Sequence, residues 1–131
     1  MATVRKNKDY NPYNCGVTQC LNKMGGEWKS LIIHLIRKDY NRFSTLKKII
    51  PEISKQMLVN QLRELEEDKV IARMIYAEIP PRVEYKITRY GRSLIPVIDV
   101  MQGWGLKDMK RRGRSEAGSE GQSCVMESAS T

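Results

Sequence analysis

The stretch that most constrains this chain is Pro51 to Lys69, PEISKQMLVNQLRELEEDK. Ser54 is suited to cap a helix there, because its hydroxyl can accept one of the amide protons left unpaired at a helix start. At about 100° per residue, Met57, Leu58, Gln61, Leu62 and Leu65 fall on one side. Lys55, Gln56, Val59, Asn60 and Arg63 fall on the other, and the acids Glu64, Glu66, Glu67 and Asp68 gather at the far end. One face is therefore apolar, while the other offers amides and cations near the helix start. Arg, Lys, Asn and Gln are the side chains that read base edges in the major groove. A helix built to approach phosphates keeps its acids away from them, as this one does. The plain alternative is a surface helix with a chance charge gradient, and the flanking sequence argues against it.

Upstream, Val17, Cys20, Leu21 and Met24 keep i, i+3, i+4, i+7 spacing in a short amphipathic helix stopped by Gly25-Gly26. In a second helix Trp28, Leu31, Ile32 and Leu35 share a face, and residues 38–41 read as a turn. Phe43, Leu46, Ile49 and Ile50 define a third short helix ended by Pro51. Only Glu52 and Ile53 separate it from Ser54. Two short helices joined so tightly, the second polar on its outer face, form a helix-turn-helix pattern.

Beyond Lys69 the period changes. Residues 70–77 are rich in β-formers, residues 78–81 read as a turn, and Val83, Tyr85 and Ile87 alternate strictly with Arg82, Glu84 and Lys86. Two such strands give an antiparallel hairpin, which after a helix-turn-helix is a wing. Arg82 is expected at its tip, suited to a minor-groove or phosphate contact. Thr88 is a suitable cap for a final long helix to about Leu106, with a kink or weakened first turn at Pro96. Leu94, Val97, Ile98 and Met101 follow helical spacing on it. That apolar surface exceeds what a small domain needs, so Leu94, Ile98 and Met101 are expected to pair two copies. Docking onto the chain's own core is the alternative.

The net charge is +8, and all but one of the 23 Lys and Arg lie before residue 113, whereas Glu116, Glu120 and Glu127 follow it. A strongly basic folded part suits a polyanion, nucleic acid before an anionic membrane. No apolar run approaches the ~20 residues of a membrane span, and the basic N-terminus lacks the apolar segment of a secretory signal, so the cytoplasm is expected. Three cysteines make no even disulfide framework; Cys15 and Cys20 do not have zinc-ribbon spacing, and the one histidine, His34, sits in an apolar run. No metal or cofactor is expected. There is no Ser/His/Asp set, glycine-rich phosphate loop or carboxylate pair in an apolar pattern, which argues against an enzyme. The division is a flexible basic arm at 1–14, a folded part at 15–107, and a disordered tail rich in Ser, Gly and Glu at 108–131 that contains Cys124.

Certain segments carry a resemblance. Gly25-Gly26-Glu27-Trp28-Lys29, Arg42-Phe43-Ser44, Leu62-Arg63-Glu64-Leu65-Glu66-Glu67-Asp68 and Pro80-Pro81-Arg82-Val83-Glu84-Tyr85 are similar to the HxlR-type winged helix-turn-helix transcription regulators. Cys15, Ile53-Ser54, Met57-Leu58, Thr88, Gly91 to Leu94 and Pro96-Val97 extend it without gaps from Cys15 to Gly105. Gly16 departs from the family's usual proline, and Lys69 from its usual glycine. The resemblance implies a bacterial homodimer on double-stranded DNA at an inverted-repeat operator; some relatives sense oxidants or electrophiles through the cysteine at the position of Cys15. The expected architecture is mainly α with a small antiparallel β wing and a C-terminal dimerisation helix. The expected DNA contacts are Ser54 at the start of the helix, Lys55, Gln56, Asn60 and Arg63 along it, Arg82 on the wing, and Lys47, Lys48 and Lys86 on phosphates. The effector class, a small molecule or a redox signal, stays open. So do two other roles, a winged-helix protein-interaction module and a thiol sensor without DNA readout.

Overall fold

The computed structural model describes residues 11–113 and divides the chain into two compact units, one ending at Arg92 and the other starting at Ser93. The N-terminal unit runs α1 (Gly16–Met24), α2 (Lys29–Arg37), α3 (Phe43–Ile49), α4 (Lys55–Glu67), β1 (Ile71–Tyr76), β2 (Arg82–Ile87) and α5 (Arg89–Arg92). The C-terminal unit carries α6 (Ile95–Arg112).

Each helix of the first unit forms where the apolar period and the punctuation agree. A 3-10 turn, Pro12–Asn14, precedes α1 and lies in the stretch expected to be arm. The α1 helix ends where the Gly25 amide donates to the Leu21 carbonyl, and Gly26 then takes φ of 82°, a left-handed position that suits glycine. In α2, Ile32 and Ile33 are wholly buried, with Leu35 and Ile36 beside them, while Leu31 is 37% exposed. The inner face is thus broader than the Trp28–Leu31–Ile32–Leu35 stripe and turned from it. The reason is that α2 packs against α1, α4 and β2 at once. His34 is half-buried, with its Nδ1 3.3 Å from Nη2 of Arg37.

Leu46, Ile50 and Ile53 are buried around the joint between α3 and α4, and Leu58, Leu62 and Leu65 plant α4 on the core. Burying each such side chain fully contributes about 1.5–3 kcal/mol relative to leaving it in water. The strands pair antiparallel from Ile71 opposite Ile87 to Tyr76 opposite Arg82. Tyr85 is buried, and its amide donates to the Asn41 carbonyl at 2.9 Å, tying β2 to the turn after α2.

Thr88 caps a shorter helix than its sequence context suggested. Its Oγ1 accepts from the Gly91 amide at 2.9 Å and donates to the Lys69 carbonyl at 2.6 Å. The helix it opens, α5, ends at Arg92. A new one starts at Ile95 with Pro96 in its first turn, where the missing N–H costs nothing. The expected kink at Pro96 is therefore a full break just before it. The second helix also continues to Arg112, six residues past Leu106, with Asp108 and Arg112 paired at 3.5 Å in its last turn. The start of the expected tail is helical; residues 1–10 and 114–131, with Cys124, lie outside the described residues. Among the described residues, no helix is long and apolar enough to cross a membrane.

Candidate nucleic-acid interface

The interface is built on α4 and starts with its cap. Ser54 has extended backbone, and its Oγ accepts from the Met57 amide at 3.0 Å. Lys47, expected on phosphate, donates from Nζ to the Pro51 carbonyl at 3.3 Å across the turn between α3 and α4, which leaves it further donors. Lys48, one residue on, is exposed.

With the leucines of α4 turned inward, Lys55, Gln56 and Arg63 are exposed and Asn60 is half-exposed beside them. The two amides bind each other, Gln56 Nε2 donating to Asn60 Oδ1 at 3.1 Å. Each amide has one heavy atom left to offer: an acceptor oxygen on Gln56 and a donor nitrogen on Asn60. That pair matches the donor and acceptor that adenine shows in the major groove. The mutual bond also restricts both side chains, so less rotamer freedom remains to be lost on binding.

Glu64 and Glu66 of α4 and its C-cap Asp68 have partners in the scaffold. Lys29 Nζ lies 2.6 Å from Glu64, Arg73 Nε 3.4 Å from Glu66, and Lys23 Nζ 3.6 Å from Asp68. They are spent on holding the helix to the domain, which leaves its first turns with uncompensated positive charge. The sequence separates these acids from the amides, and their partners come only with the fold. The apolar side of α4 also divides in two. Met57 is 41% exposed, and with Gln61, Leu21 and Trp28 it lines an open cleft of about 450 Å³ on the helix flank.

The wing differs most from expectation. Arg82 is the first residue of β2, opposite Tyr76, so the loop tip is residues 77–81. Its guanidinium is folded back, 3.2 Å from Glu78, 3.1 Å from Glu84 and 4.1 Å from the centre of the Tyr76 ring. Its Nε is buried without a hydrogen-bond partner. Lys86, further along β2, is exposed. Cys15 is the N-cap residue of α1 and half-exposed, and neither it nor Cys20 is in a disulfide.

A capped, amide-bearing helix after a tight turn, followed by a two-stranded wing, is a winged helix-turn-helix. The HxlR-like helix-turn-helix family pattern matches residues 23–113. The chain belongs to that family. YtcD of Bacillus subtilis (strain 168), described as an uncharacterized HTH-type transcriptional regulator, is 42% identical over 99 residues, which span 76% of this chain and 79% of the relative. The crystal structure of YtcD superimposes with a TM-score of 0.68 at 41% identity, covering 73% of this chain and 98% of that one. The redox regulator HypR in its oxidized form gives a TM-score of 0.63 at 43% identity, over 70% of this chain and 94% of that one. As an HxlR-like chain it carries an unusual helix end at Lys69, whose φ of 63° places a lysine in the left-handed region.

Proposed function

We propose that this HxlR-like protein is a sequence-specific DNA-binding transcription regulator that acts by binding rather than catalysis, as a homodimer, in the cytoplasm. The observation that carries the reading is the outer face of α4. Exposed Lys55 and Arg63 flank the paired amides of Gln56 and Asn60 on a helix whose Glu64 and Glu66 are engaged elsewhere. In this reading Gln56 and Asn60 read bases, Arg63 and Lys55 serve base or phosphate, and Lys48 and Lys86 sit on phosphates. Lys47 and Ser54 hold the geometry. Dimerisation is supported by the apolar surface on α6, where Val97, Val100, Met101 and Trp104 are all at least 39% exposed. On α1, Val17 and Leu21 are also exposed, at 70% and 58%. Ile98 is buried in the single chain and Leu94 is the N-cap residue of α6, so of the three residues expected at the interface Met101 is the most available.

The test is selection of bound duplexes from a random-sequence pool, followed by alanine substitution. An inverted repeat should emerge, with half-sites about one helical turn apart or a multiple of it. Gln56→Ala and Asn60→Ala should each cost about 1–3 kcal/mol at the selected site and relax its sequence. Lys48→Ala should weaken all duplexes alike and flatten the salt dependence. Identical behaviour of the three variants would refute the division into readers and positioners.

A thiol response through Cys15 is the second reading, supported by the likeness to a redox regulator and by a half-exposed cysteine, outside any disulfide, at the start of α1. Diamide should release DNA from the wild type and not from Cys15→Ser. Equal release from both would end that reading.

A further inference from the structure

The wing presents to DNA something other than its arginine. Between Ala77 and Glu84 the sole cation is Arg82, and two carboxylates and a ring already hold it. Glu78, Glu84 and Arg82 together leave the tip with a net negative charge, so Coulomb attraction to phosphate does not draw it in. What leads is Ile79, the middle residue of the five between Tyr76 and Arg82, with its side chain wholly exposed. Pro80 and Pro81 follow it, both exposed, and their rings fix φ on one side of the tip. Ile79 is also β-branched, so its own rotamers are few. It is a stiff apolar projection that loses little freedom on being buried.

We infer that Ile79 is the contact that the tip of the wing makes with DNA: it enters the minor groove beside the helix site and packs on the deoxyribose walls of a deformable step. The inference rests on the DNA-binding reading above and deepens it. The walls of the minor groove are lined by sugar carbons and hydrogens, and an apolar side chain can be buried there without a hydrogen-bond partner. Isoleucine is among the side chains that proteins wedge into minor-groove steps. Pyrimidine–purine steps open most readily, so the contact confers preference at a position where no polar group reads a base. The Arg82 cluster then serves to hold the loop in shape and to spare the tip a competing charge.

Ile79→Ala and Ile79→Leu test this on a duplex selected by the wild type from a random pool. Because the side chain is fully exposed, both variants should melt with the wild type. Ile79→Ala should lose about tenfold in affinity, the loss expected for partial burial of the carbons removed. The slope of log affinity against log salt should not change, because an apolar contact releases no counterions. Ile79→Leu should restore most of the affinity. Hydroxyl radicals attack sugars from the minor groove; in their footprint Ile79→Ala should expose only the flanking sugars and leave protection around the helix site intact. Wild-type affinity and footprint in Ile79→Ala would overturn the inference alone. So would Arg82→Gln lowering the salt slope by about one, since that makes the cation the contact. Failure of the wild type to select any duplex would overturn the DNA-binding reading, and this inference with it.

Discussion

Lys69 shows how one residue can carry a cost that the fold tolerates. At φ of 63° its Cβ crowds the backbone, and glycine does not meet this penalty. The position matters because the Lys69 carbonyl receives the Thr88 hydroxyl at 2.6 Å. Lys69→Gly should therefore raise the stability of the domain by about 0.5–1 kcal/mol, read from urea unfolding midpoints. No change would mean that the left-handed geometry is relaxed in solution. Tyr85 sets a different dependence. Burial, and then the charge of Glu66, hold its phenol above the usual value of 10.0, with Arg73 opposing them. Above that pH the unfolded chain gives up a proton that the folded one retains. Tyr85's contribution is thus whole below pH 10.0 and fades as pH rises through the folded-state value. Urea midpoints between about pH 8 and pH 11 should fall more steeply for the wild type than for Tyr85→Phe.

At the scale of elements, the join between the wing and α5 is closely built. A methyl group on Gly91 would run into the Val70 carbonyl and meet Ile87 Cγ2 at 3.0 Å. The same carbonyl accepts from the Thr88 amide at 3.0 Å, so it cannot retreat without loss. Gly91→Ala should destabilise by about 1–3 kcal/mol, measured by thermal and urea unfolding together. A neutral result would show that the join is slack. The elements themselves were legible because their signals are local: the Ser54 cap, the leucine spacing of α4, the alternation of β2 and the paired glycines after α1 each decide a boundary within a few residues. The resemblance added the order in which they assemble. What stayed illegible is set by contacts distant in sequence. The breadth of the buried side of α2 depends on three neighbours, and the grip on Arg82 depends on Tyr76 lying opposite it in register. The partners of Glu64 and Glu66 come from Lys29 and Arg73, which no helical period connects to them. The helix boundary at residues 93–94 was blurred for a simpler reason: a proline is compatible both with a kink and with a new first turn.

At the scale of the whole molecule, a chain of net charge +8 with exposed apolar residues on α6 is suited to meet two partners, a polyanion and its own copy. Val100 is 72% exposed, so Val100→Glu should leave the fold intact while putting a charge into any apolar pairing surface. Sedimentation velocity should show the wild type as a dimer and Val100→Glu as a monomer with much weaker operator binding. A variant that remains dimeric would move the interface elsewhere. The neutralisation of Arg82 also has a consequence in time. Cations around α4 and on Lys48 attract DNA from a distance, whereas a tip whose arginine is already bound to two carboxylates acts only on contact. Encounter and residence are then controlled by different parts of the domain. In stopped-flow or surface-based kinetics, Lys48→Ala should slow association in a salt-dependent way, and Ile79→Ala should leave association unchanged and speed dissociation. On the proposed reading, a protein so divided can find DNA quickly without staying, and an uncharged side chain at the wing tip helps to lengthen the stay.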